Sequence, residues 1–196
     1  MTKIILASQS PRRQELLTEM GVVFDVMPSN FDEQLDDARD PTDVAEELAV
    51  GKAMAVAKEF PSAIVIGADT IVTINGKQLE KPTSPENAVE LLTLLAGKTH
   101  EVTTGLAVIS LDEGIHLVDS DTTKVAFKPY DEQAIRAYVA TGDPMDKAGA
   151  YGIQSGAAPL IARYDGRYDT IVGLTTSSLA EMLSMIGIYA SPIDAV

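Results

Sequence analysis

Ala63-Ile64-Val65-Ile66-Gly67-Ala68-Asp69-Thr70-Ile71-Val72-Thr73-Ile74 is an apolar, β-branched run with a carboxylate in its middle. Such a run reads as one or two central strands of a buried sheet. Asn75-Gly76 follows it, a strong signal for a two-residue hairpin turn. The return strand then carries Gln78-Leu79-Glu80-Lys81-Pro82. Pairing across that turn sets Lys77 opposite Ile74 and brings Glu80 and Lys81 near Ile71 and Thr70. Lys81 is therefore expected close to Asp69.

Upstream, Ile4 to Ala7 reads as a buried strand and Pro11 to Met20 as a helix stopped by Gly21. Ser10 suits the cap of that helix and Pro11 its first turn. Val22 to Met27 reads as a strand, and the acidic segment from Pro28 to Asp40 as a loop. A long helix follows from about Asp43 to Glu59, capped by Thr42 or Asp40. Downstream, Ser84-Pro85 opens a helix to about Leu95. Glu101 to Ser110 and Ile115 to Phe127 read as strands, and Asp131 to Tyr138 as a helix. Leu160 to Tyr164 and Tyr168 to Val172 read as a hairpin across Asp165-Gly166, and Thr176 to Met185 as the last helix. The order implies a single α/β domain over residues 1–196. Its mixed sheet is flanked by helices, with a central cleft between two lobes.

The chain has 196 residues, 45% of them hydrophobic and 22% charged, enough for a sizeable core. No apolar run approaches the roughly 20 residues that span a bilayer, and no secretory leader is expected. The absence of cysteine excludes disulfides and thiol catalysis, and it suits a reducing cytoplasm. A formal charge of -14 argues against a broad nucleic-acid surface. An anionic substrate would need a local basic pocket. Arg12, Arg13, Lys52, Lys81 and Lys147, five of the fifteen basic residues, fall within polar motifs.

Asp69 is the most informative residue. A carboxylate inside an apolar strand is costly unless it is paired, hydrogen-bonded or metal-bound. It could activate water, hold a metal, do both, or make a structural contact. Gly67 and Ala68 beside it leave room for a ligand. Ala7-Ser8-Gln9-Ser10-Pro11-Arg12-Arg13 sets hydroxyls and guanidiniums at a helix start, where free N–H groups favour phosphate. Asp32-Glu33 could add a carboxylate for a divalent cation. Lys52 stands on a helix, where lysines usually face solvent. In the glycine-rich Asp146-Lys147-Ala148-Gly149-Ala150-Tyr151-Gly152-Ile153-Gln154, the Gln154 amide could pair with a nucleobase edge. His100 and His116 suit structural or surface roles. Walker, dinucleotide-binding, zincin and nucleophile-elbow motifs are all absent.

Together these segments, with Lys52-Ala53, Glu80-Lys81-Pro82 and Val172-Gly173-Leu174, resemble the Maf family of nucleotide pyrophosphatases from Ile4 to about Leu183. The resemblance implies an elongated, twisted sheet like that of the inosine triphosphatases. It implies metal-dependent cleavage of a nucleoside triphosphate between its α- and β-phosphates, with Mg²⁺ or Mn²⁺. Asp69 then matches the proton acceptor, and Arg12, Thr70 and Gln154 match positions that distinguish substrate subgroups. Ser8, Arg13, Glu33, Lys52 and Lys81 match phosphate and metal positions, with Glu33 and Asp69 as metal ligands. The Ser-Pro-Arg-Arg, Gly-Ala-Asp-Thr and Tyr-Gly-Ile-Gln combination looks like the dTTP and UTP subgroup. Modified pyrimidine nucleotides are a further substrate class, and a homodimer is a family expectation. The rival from another class is a non-catalytic nucleotide-binding regulator of cell division. Val50-Gly51, Thr175 and Gln9 depart from the usual pattern without removing any of these groups.

Overall fold

The strand Ile64–Ile74 (β3) organises the computed structural model, which describes residues 2–31 and 39–190. Ten of its eleven residues are buried, as its apolar composition requires. It pairs with β5 (Thr99–Ser110) in an unbroken antiparallel register from Val65 opposite Ile109 to Thr73 opposite Glu101. β6 (Ile115–Phe127) continues the sheet, and β7 (Ile161–Asp165) closes that side.

The other edge of β3 is shared by two short strands. β1 (Ile4–Leu6) runs parallel to Ile64–Ile66, with β2 (Asp25–Val26) outside it. β4 (Lys77–Leu79) runs antiparallel to Val72–Ile74 across the expected hairpin. Between them, Gly67 to Ile71 has no strand neighbour on that edge among the described residues. The result is a seven-stranded mixed sheet with a notch in it.

Helices cover the sheet unequally. α2 (Pro41–Ala57) packs on the face of Val65, Gly67, Asp69 and Ile71. It begins at Asp40, whose carboxylate accepts from the Thr42 N–H. The opposite face carries two separate cores. One gathers Ile64, Ile66 and Ala68 with α1 (Pro11–Glu19) and α6 (Thr176–Met185). The other gathers Val72 and Ile74 with α3 (Pro85–Leu95), α4 (Glu132–Val139) and the turns around Ala150. These cores are the two lobes, and the cleft lies between them. Among the described residues, no helix is long and apolar enough to cross a membrane.

One sequence expectation fails. Tyr168–Val172 is a short helix (α5), not the second arm of a hairpin. Asp169-Thr170-Ile171-Val172 repeats the tetrapeptide Asp69-Thr70-Ile71-Val72, yet the first copy is strand and the second helical. The Asp169 carboxylate accepts from Thr170 N, from the Arg167 guanidinium, and from both N and Oγ1 of Thr176. These bonds cap α6 and fold the segment back on itself. Side-chain hydrogen bonding thus overrides β propensity. Two smaller departures are that β2 is only Asp25–Val26 and that Ser10 makes no side-chain cap for α1. Ser8 Oγ instead accepts from Ser10 N at 3.2 Å.

Candidate active site

A cleft of about 660 Å³ opens at the notch, between the two lobes. Alternation along β3 sends Asp69 and Thr70 to opposite faces of the sheet, and the missing neighbour strand lets one cleft reach both.

Asp69 is 7% exposed and pairs with Lys52, which is 8% exposed. α2 brings the lysine there because it lies directly on the sheet. A Cβ on Gly67 would sit 2.2 Å from the Ala49 carbonyl oxygen, and one on Gly105 2.3 Å from that of Ala45. The space beside Gly67 is therefore filled by α2 and is not left for a ligand. Two further expectations change with it. Lys52 is buried in the site and does not face solvent. The partner of Asp69 is Lys52, while Lys81 is exposed on the cleft wall with no ion pair among the described residues. The hairpin register sets Lys77 opposite Ile74 as expected, and Lys81, two residues beyond β4, lines the cleft.

On the other face, Arg13 is held on three sides. Its Nε donates to the Gly173 carbonyl at 2.8 Å, one terminal nitrogen to Ser8 Oγ at 3.2 Å, and the other to Thr70 Oγ1 at 3.1 Å. This fixes a planar cation at the cleft, the geometry that suits phosphate oxygens. Arg12 crosses towards the second lobe, 3.8 Å from the Asp146 carboxylate.

The glycine-rich segment forms the far wall, and Gln154 is exposed in it. Asp143 holds this wall together by accepting from Tyr138 Oη at 2.5 Å, Ser155 Oγ at 2.6 Å and Lys147 Nζ at 3.0 Å. Burial pushes the Asp143 carboxyl up, but the bonds from Ser155, Tyr138 and Lys147 outweigh it, so its pKa lies below the usual value. Gly149 N donates to the Glu80 carbonyl at 3.1 Å, tying the wall to the end of β4. Deeper in, His100 is 2% exposed and meets Tyr151 Oη through Nε2 at 2.8 Å.

Arg12, Arg13, Lys52, Lys81 and Lys147 all line this cleft, against the three carboxylates Asp69, Glu80 and Asp146. Among the described residues this is a local excess of cation in a chain of charge -14. Ser8, Thr70 and Gln154 also line it. Glu33 lies outside the described residues. Asp143 and Asp169 escaped sequence reasoning. Asp169 carried the same signal as Asp69, an acid in an apolar β-branched run.

Among the described residues, no group of three or more His, Asp or Glu side chains is gathered to hold a metal ion. A divalent cation held by one or two carboxylates and completed by phosphates and water needs no such group. The Asp69 carboxylate, in a cleft suited to phosphates, fits that kind of site.

The sequence pattern of the Maf-like protein family matches residues 3–186. The dTTP/UTP pyrophosphatase of Moorella thermoacetica is 45% identical over 188 residues, 96% of this chain and 97% of that one. The dTTP/UTP pyrophosphatase of Desulforamulus reducens is 48% identical, over 96% of this chain and 98% of its own. Among solved structures, the Staphylococcus aureus Ham1 protein aligns at 18% identity with a TM-score of 0.48, covering 64% of this chain and 72% of that one.

Proposed function

Because the chain belongs to the Maf-like protein family, we propose that it is a nucleoside triphosphate pyrophosphatase acting on dTTP and UTP. The observation that carries this reading is the convergence of five cationic side chains on a cleft whose floor holds the buried Asp69–Lys52 pair. A triphosphate is the kind of ligand that such a charge excess attracts in an acidic protein.

The reaction joins water oxygen to phosphorus and breaks the α,β-bridging P–O bond, leaving the monophosphate and pyrophosphate. Asp69 accepts the proton of the attacking water. Lys52 holds the carboxylate in place and adds positive charge beside the reacting phosphate. Arg13, fixed by Gly173, Ser8 and Thr70, grips the phosphates in one orientation. Arg12 and Lys81 complete the cradle from either side. Positioning and electrostatic stabilisation of this kind supply most of the catalysis in phosphoryl-type reactions. Mg²⁺ or Mn²⁺, held by Asp69 with Glu33, would neutralise charge on the triphosphate. Gln154 and Thr70 contact the pyrimidine.

The test is a panel of purified nucleotides, with and without divalent metal, scored for pyrophosphate and monophosphate. Release of both from dTTP and UTP supports the reading. Tight dTTP or UTP binding with no metal-dependent turnover would sink it in favour of a regulator.

A further inference from the structure

Thr70 sits at the centre of a chain of hydrogen bonds whose direction can be worked out. Thr104 lies directly opposite it on β5 and is 0% exposed. The Thr104 hydroxyl donates to the Thr170 carbonyl at 2.8 Å. A hydroxyl has a single proton, so Thr104 can only accept from Thr70, whose Oγ1 lies 3.0 Å away. The proton of Thr70 is thereby directed into the sheet. One of its two lone pairs receives the Arg13 N–H at 3.1 Å. The other receives no donor among the described residues, and Thr70 lines the cleft.

We propose that Thr104 is a positioning residue that fixes the polarity of Thr70, so that Thr70 offers the cleft an acceptor and never a donor. This rests on reading the cleft as a pyrimidine triphosphate site. An acceptor-only oxygen repels a phosphate oxygen and selects a ligand N–H. Uracil and thymine carry N–H at ring position 3, whereas cytosine presents a bare nitrogen there and its N–H donors on the position-4 amine, so the selection acts with Thr70 facing ring position 3. The Arg13–Thr70–Thr104–Thr170 chain therefore discriminates for keto pyrimidines against cytosine from beneath the site, through a residue that never touches substrate.

The experiment compares wild type, Thr104→Val and Thr104→Ser for kcat/KM on UTP and CTP. CTP is also assayed as an inhibitor of UTP hydrolysis, and binding of both nucleotides is measured by calorimetry. Valine keeps the shape but frees the Thr70 proton, so UTP efficiency should fall about five- to tenfold while CTP holds or gains. Serine should keep the wild-type preference. An equal loss on both nucleotides, an unchanged UTP to CTP ratio, or a serine variant as impaired as valine would overturn the proposal. If valine does not fold in a thermal melt, Thr104→Ala removes the same hydroxyl and gives the same comparison. Absent turnover with an intact, Thr104-dependent binding preference refutes the pyrophosphatase reading alone. Absent binding of both nucleotides refutes both.

Discussion

Lys52 on α2 reaches Asp69 on β3 from above the sheet, and the two bury one another beneath the cleft. Asp69→Asn should lower turnover of dTTP and UTP by about 10³-fold while nucleotide affinity stays within a few-fold. Initial rates alongside calorimetric titration check this. A variant that still releases pyrophosphate at the native rate would remove Asp69 as the base.

Lys52→Met should cost in two ways. Turnover falls, by roughly 10²-fold, because a cation beside the phosphates is gone. Stability falls too, by about 3–5 kcal/mol, because Asp69 is left as a buried carboxylate without its partner. Urea denaturation reads the second effect, and adding Asp69→Asn should restore much of it while activity stays lost.

Gly67→Ala and Gly105→Ala each place a methyl against an α2 carbonyl oxygen, at 2.2 and 2.3 Å. The helix must lift, at a cost of about 1–3 kcal/mol or more. Lys52 withdraws with it, so each variant should lose kcat more than it changes KM. A normal kcat in a destabilised Gly67→Ala protein would uncouple the helix seat from the chemistry.

His100 supplies a pH dependence. Burial lowers its pKa from 6.5 to about 4, so the folded state keeps it neutral where the unfolded chain protonates it. The unfolded state binds the extra proton between those two values. Stability is therefore complete above pH 6.5 and declines as pH falls towards 4, by about 3 kcal/mol from this residue. Urea melts at pH 7 and 4.5 should show the decline, and His100→Gln should flatten it.

Much of this was legible in advance because it rests on local patterns. The central strand, the Asn75-Gly76 hairpin and the helices capped at Ser84 and Asp131 follow from periodicity and turn chemistry. The basic residues could be tied to polar motifs, and all five line the cleft. What could not be read depends on which side-chain contacts form and on how deeply elements pack. Asp-Thr-Ile-Val is a strand at Asp69 and a helical turn at Asp169, so the tetrapeptide itself decides neither. Lys52 displaced Lys81 as the partner of Asp69 because two glycines on different strands seat α2 against the sheet. That depth is a packing outcome, and nothing near Lys52 encodes it.

The gap that β1 and β4 leave along β3 has an evolutionary consequence. It exposes consecutive residues from both surfaces of one strand to one cleft. On the proposed reading hydrolysis hangs on Asp69 and recognition on Thr70, and the two faces are backed by different helices. Substitutions behind Thr70 can therefore retune selectivity without disturbing the hydrolytic pair. The same arrangement makes the strand intolerant of indels. Deleting one residue before Asp69 would exchange the two surfaces, turning the carboxylate towards Arg13 and the hydroxyl towards Lys52. Such lineages should drift readily in nucleotide preference while holding the length of this strand fixed.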